Sequence, residues 1–388
     1  MARPRGIAYP ALILAPLVLG TMFVLHEVRS GTGRVRSYYI AADEVVWDYA
    51  PSGRDQITGQ PFDAVSRRFA EPGPGSIGHV ARKSLYREYT DSSFKTLKAR
   101  PAEWEHLGFL GPLIRASVGD TIRIVFRNQT RFPASVHPHG VFYDKDSEGA
   151  PYADNTSGAD RADDGVPPGG THVYVWPVPE RAGPSEHEGN SAFWMYHSHT
   201  HETADVNAGL TGAMIITRRG GARPDGTPSD VDREIVIAFA EVDENESPYL
   251  LENLKAYAKQ PDSVKIDTVF GVPQVRQYAQ YNFKETLNGF IYGNLPMPTV
   301  RMGERVRWYI MASTNFEVHA PHWHGNVVEL DRMRTDVASL TPMEMAVADM
   351  VPDNPGVWLF HCHVGNHLLM GMQGRYEVQP TVVASLTP

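Results

Sequence analysis

The amino-acid sequence predicts an all-β chain built as two Greek-key β-barrel domains, and three observations carry that prediction. The 34 Gly and 30 Pro among 388 residues favour short strands and tight turns over long helices. Short runs rich in β-branched and aromatic residues recur, with turn signals between them. One order of motifs occurs twice, the mark of a duplicated unit. The length suits two domains at about 150 residues each. With 42% hydrophobic and 21% charged residues the chain has the makeup of a soluble globular protein. A net charge of -9 and the lack of any Lys/Arg-rich run exclude a nucleic-acid footprint.

Taken in order, Arg3 and Arg5 precede an apolar run over residues 7–25, broken by Pro10 and Pro16. Residues 1–30 read as a signal peptide or a signal anchor, which predicts an exported chain that is periplasmic, extracellular or tethered to the outer face of a membrane. The first domain is expected over 38–220, with strands at 121–126, 172–176 and 213–217. Residues 220–230 (GGARPDGTPSD) break the composition and mark the boundary. The second domain is expected over 231–380, with strands at 234–240, 305–311, 357–360 and 375–378. Residues 241–280 form a polar excursion containing a helical stretch at 250–259 (LLENLKAYAK).

The repeat is specific. Gly119-Asp-Thr-Ile-Arg-Ile-Val-Phe leads to His137-Pro-His139-Gly140, and Gly303-Glu-Arg-Val-Arg-Trp-Tyr-Ile leads to His322-Trp-His324-Gly325. Later, Trp194-Met-Tyr-His197-Ser198-His199 is matched by Trp358-Leu-Phe-His361-Cys362-His363. The first copy carries a longer insertion near 181–190, expected as a surface loop.

Alternate residues of a strand point to one face, so each His-x-His places two imidazoles side by side. One such pair is weak evidence; four, symmetrically placed in a duplicated chain, point to metal. Histidine alone does not choose among Cu, Zn, Fe and Ni. The second domain makes the choice by adding His319, Cys362, His367 and Met372, the two-imidazole, thiolate and thioether set of a blue-copper centre. Cys362 is the sole cysteine, so no intramolecular disulfide can form. The first domain has Ala134, Ser198 and Thr203 in the register of His319, Cys362 and His367, so a single mononuclear copper is expected, in the second domain.

With these residues in view, the sequence resembles the multicopper oxidases. The stretches GFLGPLIRASVGDTIRIVFRN, SVHPHGVFYDKDSEGAPY and VPPGGTHVYVWPVPERAGP are similar to the ceruloplasmin and hephaestin branch, while the size is that of two-domain laccases. The resemblance implies cupredoxin-like domains and four coppers per chain. It implies a type 1 copper at His319, Cys362, His367 and Met372, and a type 2 copper on His137 and His322. A type 3 pair would take His139, His197, His199, His324, His361 and His363. It also implies electron transfer from a small reducing substrate through Cys362 to O2, with Tyr143 and Glu148 supplying electrons or protons near the cluster. Asp144 and Asp146 are rivals for that carboxylate role. Two-domain members close their clusters between subunits, which implies a homotrimer.

Asn366 stands where ferroxidases of this branch carry an acidic residue before the second type 1 histidine. Phenolic or aromatic donors are therefore the first expectation. Ferrous or cuprous oxidation is the alternative, with Asp336, Glu344 or Asp349 as candidate carboxylates and Met343, Met345 and Met350 as candidate thioethers. Copper nitrite reductase and a one-copper electron carrier are the remaining readings; the HCH motif in the second domain and the eight paired histidines argue against them.

Overall fold

The structure, a computed structural model, describes residues 33–263, 265–269, 272–275, 279–313 and 317–381. The leader reading of 1–30 lies outside these residues. Among the described residues no helix is long and apolar enough to cross a membrane. Thr32–Pro388 forms one compact unit.

The first half contains β1 (Val35–Asp48), β2 (Val80–Tyr89), β3 (Ile114–Ser117), β4 (Thr121–Asn128), β5 (His137–Pro138), β6 (Thr171–Pro177), β7 (Ser191–His197) and β8 (Thr211–Thr217). They form two four-stranded sheets, β2-β1-β4-β6 and β3-β8-β7-β5. In β4, TIRIVFRN alternates between half-buried and buried positions, so Ile122, Ile124 and Phe126 face the core. They meet Tyr174, Trp176, Met214 and Ile216 from the other strands.

The second half contains β9 (Arg233–Asp243), β10 (Ile266–Val269), β11 (Val272–Val275), β12 (Phe283–Leu287), β13 (Thr299–Arg301), β14 (Val306–Ala312), β15 (Pro321–Trp323), β16 (Val328–Leu330), β17 (Met333–Thr335), β18 (Met345–Met350), β19 (Gly356–Cys362) and β20 (Gln373–Gln379). Its main sheets run β12-β9-β14-β18-β16-β17 and β13-β20-β19-β15. The core packs Trp308, Trp323, Phe360 and Tyr376 around Cys362 and Met372. Short helices connect the strands: α1 (Ser66–Ala70), α2 (Glu202–Ala208), α3 (Leu250–Tyr257), α4 (Ala279–Asn282) and α5 (Gly365–Met370). Each expected strand lies within, or one residue from, an observed one, and α3 is the helix expected at 250–259.

The halves share buried surface. Leu107, Phe193 and Ile215 pack against Val236, Tyr309 and Met311. Lys83 on β2 reaches Glu244, just past β9, at 2.7 Å with both side chains fully buried. The same Nζ donates to the carbonyl of Asn207, and Tyr49 Oη donates to Glu244. This charge cluster is hydrogen-bonded on every side, as a buried ion pair requires.

Candidate metal centres

Strand geometry splits the HCH motif between two sites. On β19, His361 and the following His363 project to one side and Cys362 to the other, because the side-chain period is two. The thiol side is the core. Cys362 is fully buried, with Sγ 3.9 Å from His319 Nδ1 and 3.5 Å from His367 Nδ1. The Ala320 N–H donates to the same sulfur (3.3 Å). Met372 is fully buried in the same core, and its carbonyl accepts the Cys362 N–H. Burial pushes the Cys362 thiol above its ordinary range and His319 down to about 3. A thiol that burial holds protonated, facing two neutral imidazoles, is a donor set that a soft cation completes by displacing the proton. His319, Cys362 and His367 converge as a type 1 copper requires, with Met372 packed in the same core.

On the opposite side, β15 pairs with β19 so that His322 lies directly across from His361. The His322 ring is 4.5 Å from His324, 5.1 Å from His361 and 5.0 Å from His363, and His324 Nε2 faces His361 Nε2 at 3.1 Å. The first half repeats this: β5 pairs His137 with His197 on β7. His139 Nε2 faces His197 Nε2 at 3.1 Å, and the His137 ring is 5.2 Å from His199. Burial lowers His139 to about 4 and His197 to about 3, so these rings are neutral and offer lone pairs at neutral pH. Backbone carbonyls set the tautomers. His361 Nδ1 faces the Cys362 carbonyl (2.7 Å) and His137 Nδ1 the Glu148 carbonyl (2.6 Å), which leaves Nε2 as the donor atom. Eight imidazoles in two converging sets fit copper. Among the described residues no ring contact joins one set to the other.

The glycine of each HxHG has a steric reason. Gly140 and Gly325 have φ of +80° and +72°, and a Cβ on either would sit within 2.4 Å of the Trp194 or Trp358 ring. The tryptophan three residues before each HxH thus lies flat over the glycine after each HxHG, clamping the two motifs together.

The remaining sequence-predicted residues divide. Tyr143 stands 5.7 Å from the His137 ring. Glu148 reaches His137 through its carbonyl, while its carboxylate is held by Lys145 and by Tyr152 Oη. His201 is exposed and its N–H donates to Asp205. The counterpart of His367 in the first half is Asp205, not Thr203. Both precede a left-handed glycine cap by four residues, Gly209 and Gly371, and the first half carries two extra residues between motif and cap. The counterpart of Met372 is Leu210, whose carbonyl accepts the Ser198 N–H. The vacated site is closed by hydrogen bonds. Ser198 Oγ donates to Asp205 Oδ2 (2.6 Å) and accepts from the Ser135 N–H (3.0 Å).

Sequence reasoning missed an acidic group beside His367. Glu317 Oε2 lies 3.2 Å from His367 Nε2, and Glu285 Oε2 lies 3.9 Å from its Nδ1. Glu241 and Glu285 are directly opposed on β9 and β12. Burial, then the nearby Glu317 and Asp243, raise Glu241 to about 7, and burial with Glu241 and Glu317 pushes Glu285 well above the carboxylate range. The expected carboxylates are engaged elsewhere: Asp349 pairs with Arg307, Glu344 accepts the Thr341 N–H, and exposed Asp336 lies 3.7 Å from His322. Met343 and Met345 pack on the core between the halves and Met350 on that of the second, so the methionines do not share one site.

Two family models described as multicopper oxidase match residues 106–221 and 267–382. The chain belongs to the multicopper oxidase family. Within that family it is ceruloplasmin-like. It is 43% identical over 348 residues to the ferroxidase HEPHL1 of Mus musculus, covering 88% of this chain and 29% of that protein. It is 40% identical to hephaestin of Homo sapiens (91% and 30%) and 38% identical to ceruloplasmin of Ovis aries (89% and 32%). The chain thus spans about a third of the length of these relatives. A solved multicopper oxidase aligns with TM-score 0.52 at 18% identity over 89% of both chains. The blue copper oxidase of Nitrosomonas europaea aligns with TM-score 0.52 at 17% identity, over 89% and 86%. Both support the same cupredoxin-like fold.

Proposed function

We propose that this chain is a copper-dependent metal-ion oxidase that takes electrons from ferrous iron and delivers them to O2. The observation that carries the reading is the Glu317 carboxylate on the outer nitrogen of His367, backed by Glu241 and Glu285. Three carboxylates suit a hard divalent cation and have no use for a phenol. The ferroxidase named among the relatives supports the same choice, and the phenolic donor expected from Asn366 gives way to it.

His319, Cys362, His367 and Met372 would hold the type 1 copper, His137 and His322 the type 2 copper, and His139, His197, His199, His324, His361 and His363 the type 3 pair. Bound copper supplies one-electron transfer and the reduction of O2 to water. The chain's own residues set the path. Glu317 binds and orients the ferrous substrate at the Nε2 edge of His367 with Glu241 and Glu285 close by, and the Nδ1 edge of the same ring faces the Cys362 sulfur. Cys362 is covalently continuous with His361 and His363, so substrate and O2 are handled on opposite sides of one strand. Tyr143 is positioned to exchange an electron or proton beside His137. Four ferrous ions and four protons balance one O2 to two waters.

Each half of the chain presents four of the eight imidazoles. We read these as half-sites completed by a second copy of the chain, in a homotrimer exported from the cytoplasm. The test is oxygen uptake by the copper-loaded protein with ferrous iron and with a phenol, in wild type and Glu317→Gln. The expected result is preference for iron and a KM for iron raised about tenfold or more in the variant, with phenol turnover unchanged. Equal iron kinetics in wild type and variant would overturn the reading. Cys362→Ser should lose the blue thiolate band.

A further inference from the structure

Four arginines gather where the described chain begins. Arg34, Arg36, Arg219 and Arg223 line an open cleft of about 490 Å³ beside Gly33, and Asp120 is the one carboxylate among the lining residues. That carboxylate is already spent: it is buried, accepts the Arg34 and Ser117 N–H groups, and pairs with Arg36 Nε at 2.9 Å. Arg223 donates to the carbonyls of Pro228, Ser229 and Val231 rather than to an acid. Arg34 and Arg219 are exposed, and their guanidinium groups form no ion pair among the described residues. In a chain of net charge -9, this is a localised excess of positive charge.

The cleft is built. Gly33 lies against the Gly119 carbonyl so closely that a Cβ would sit 1.7 Å from that oxygen. Gly119 has φ +95°, and the Arg219 guanidinium is spread over it, 2.4 Å from where a Cβ would stand. The glycine pair thus lets the chain enter across the cleft floor while Arg219 forms its wall.

We propose that this arginine cleft binds the anionic headgroups of a phospholipid surface. The position of the chain's entry selects that partner. Residues 7–25 are the apolar run, and only seven residues separate Leu25 from Gly33. Fully extended, that stretch reaches about 28 Å. With the apolar run in a bilayer, that tether would leave the cleft within reach of the surface, where each guanidinium attracts anionic lipid. One apolar anchor and one basic patch together make a stable attachment.

The test uses the compact unit Thr32–Pro388, which has its own cores and lacks the apolar run. Its sedimentation is measured with phosphatidylcholine vesicles, with and without phosphatidylglycerol, at low and high salt. Binding is expected on the phosphatidylglycerol vesicles alone, weakening with salt. The Arg34→Glu/Arg219→Glu variant should bind more than twentyfold more weakly, at about fivefold per arginine, with unchanged copper content. Equal binding to both vesicles, or equal binding by wild type and variant, would overturn the proposal. So would saturable binding of inorganic phosphate, lost in the variant, without attachment to vesicles, which would mark a small-anion site.

Discussion

Replacing Asp205 with Asn should remove a pH dependence of stability that the first half of the chain carries at the position matching His367. Asp205 is 5% exposed, and burial lifts its carboxyl from 3.8 to about 6 against the hydrogen bonds from Ser198 and the His201 N–H. A carboxyl whose folded-state pKa is raised contributes stability that is fully present below the unfolded value. That stability is lost as pH rises through the folded one. The window here runs from about 3.8 to about 6. A shift of roughly two units at 1.36 kcal/mol each is about 3 kcal/mol. At about 2.1 cal/mol/K per residue of unfolding entropy, that is about 4 °C of Tm in a chain of this length. Both hydrogen bonds go to one oxygen, which Asn retains, so the variant keeps the geometry and loses the titration. Thermal unfolding of copper-free wild type and Asp205→Asn between pH 4 and 8 reads the difference, since the titration of other groups cancels. The variant should gain about 4 °C on the wild type as pH rises. Parallel Tm curves would refute the assignment of a buried, protonated carboxyl to this site.

Lys83→Met should destabilise by about 3–5 kcal/mol, because it leaves the fully buried Glu244 carboxylate without its cation. Lys83→Met/Glu244→Leu should recover most of that loss in thermal unfolding, and a single variant within about 1 °C of wild type would contradict a buried charged pair. Gly325→Ala should cost about 1–2 kcal/mol for its φ of +72° and more for displacing Trp358, with lowered copper content. Gly303→Ala, at φ +81° but with open space around it, should show the backbone cost alone and keep its copper.

The side chains proposed as copper ligands were legible because each rests on a local rule. Alternation along β19 separates Cys362 from His361 and His363 whatever the rest of the chain does, and the duplication of HxHG and HxH names the paired strands. The strands were legible for a similar reason, since the alternating Ile122, Ile124 and Phe126 of β4 must face a core. The register slip at Thr203 shows the limit. Residue counting cannot see a two-residue extension between the first HxH motif and the glycine cap of α2, whereas the glycine caps at Gly209 and Gly371 align the two copies in space. Glu148 shows another limit: its contact with His137 is made by a carbonyl that every residue type possesses.

By itself the sequence determined the duplicated β-architecture, the donor chemistry and the family, because strand period and ligand type are properties of neighbouring residues. The tertiary structure alone decided what stands outside His367. Glu241, Glu285 and Glu317 come from separate segments, the first two brought together by the pairing of β9 with β12 and the third placed beside His367 from two residues before His319. Tertiary structure likewise joined Ser198 to Asp205 at the first-half positions that match Cys362 and His367, and gathered Arg34, Arg36, Arg219 and Arg223 round one glycine. Long-range register sets these groupings, and side-chain packing across the whole chain chooses that register.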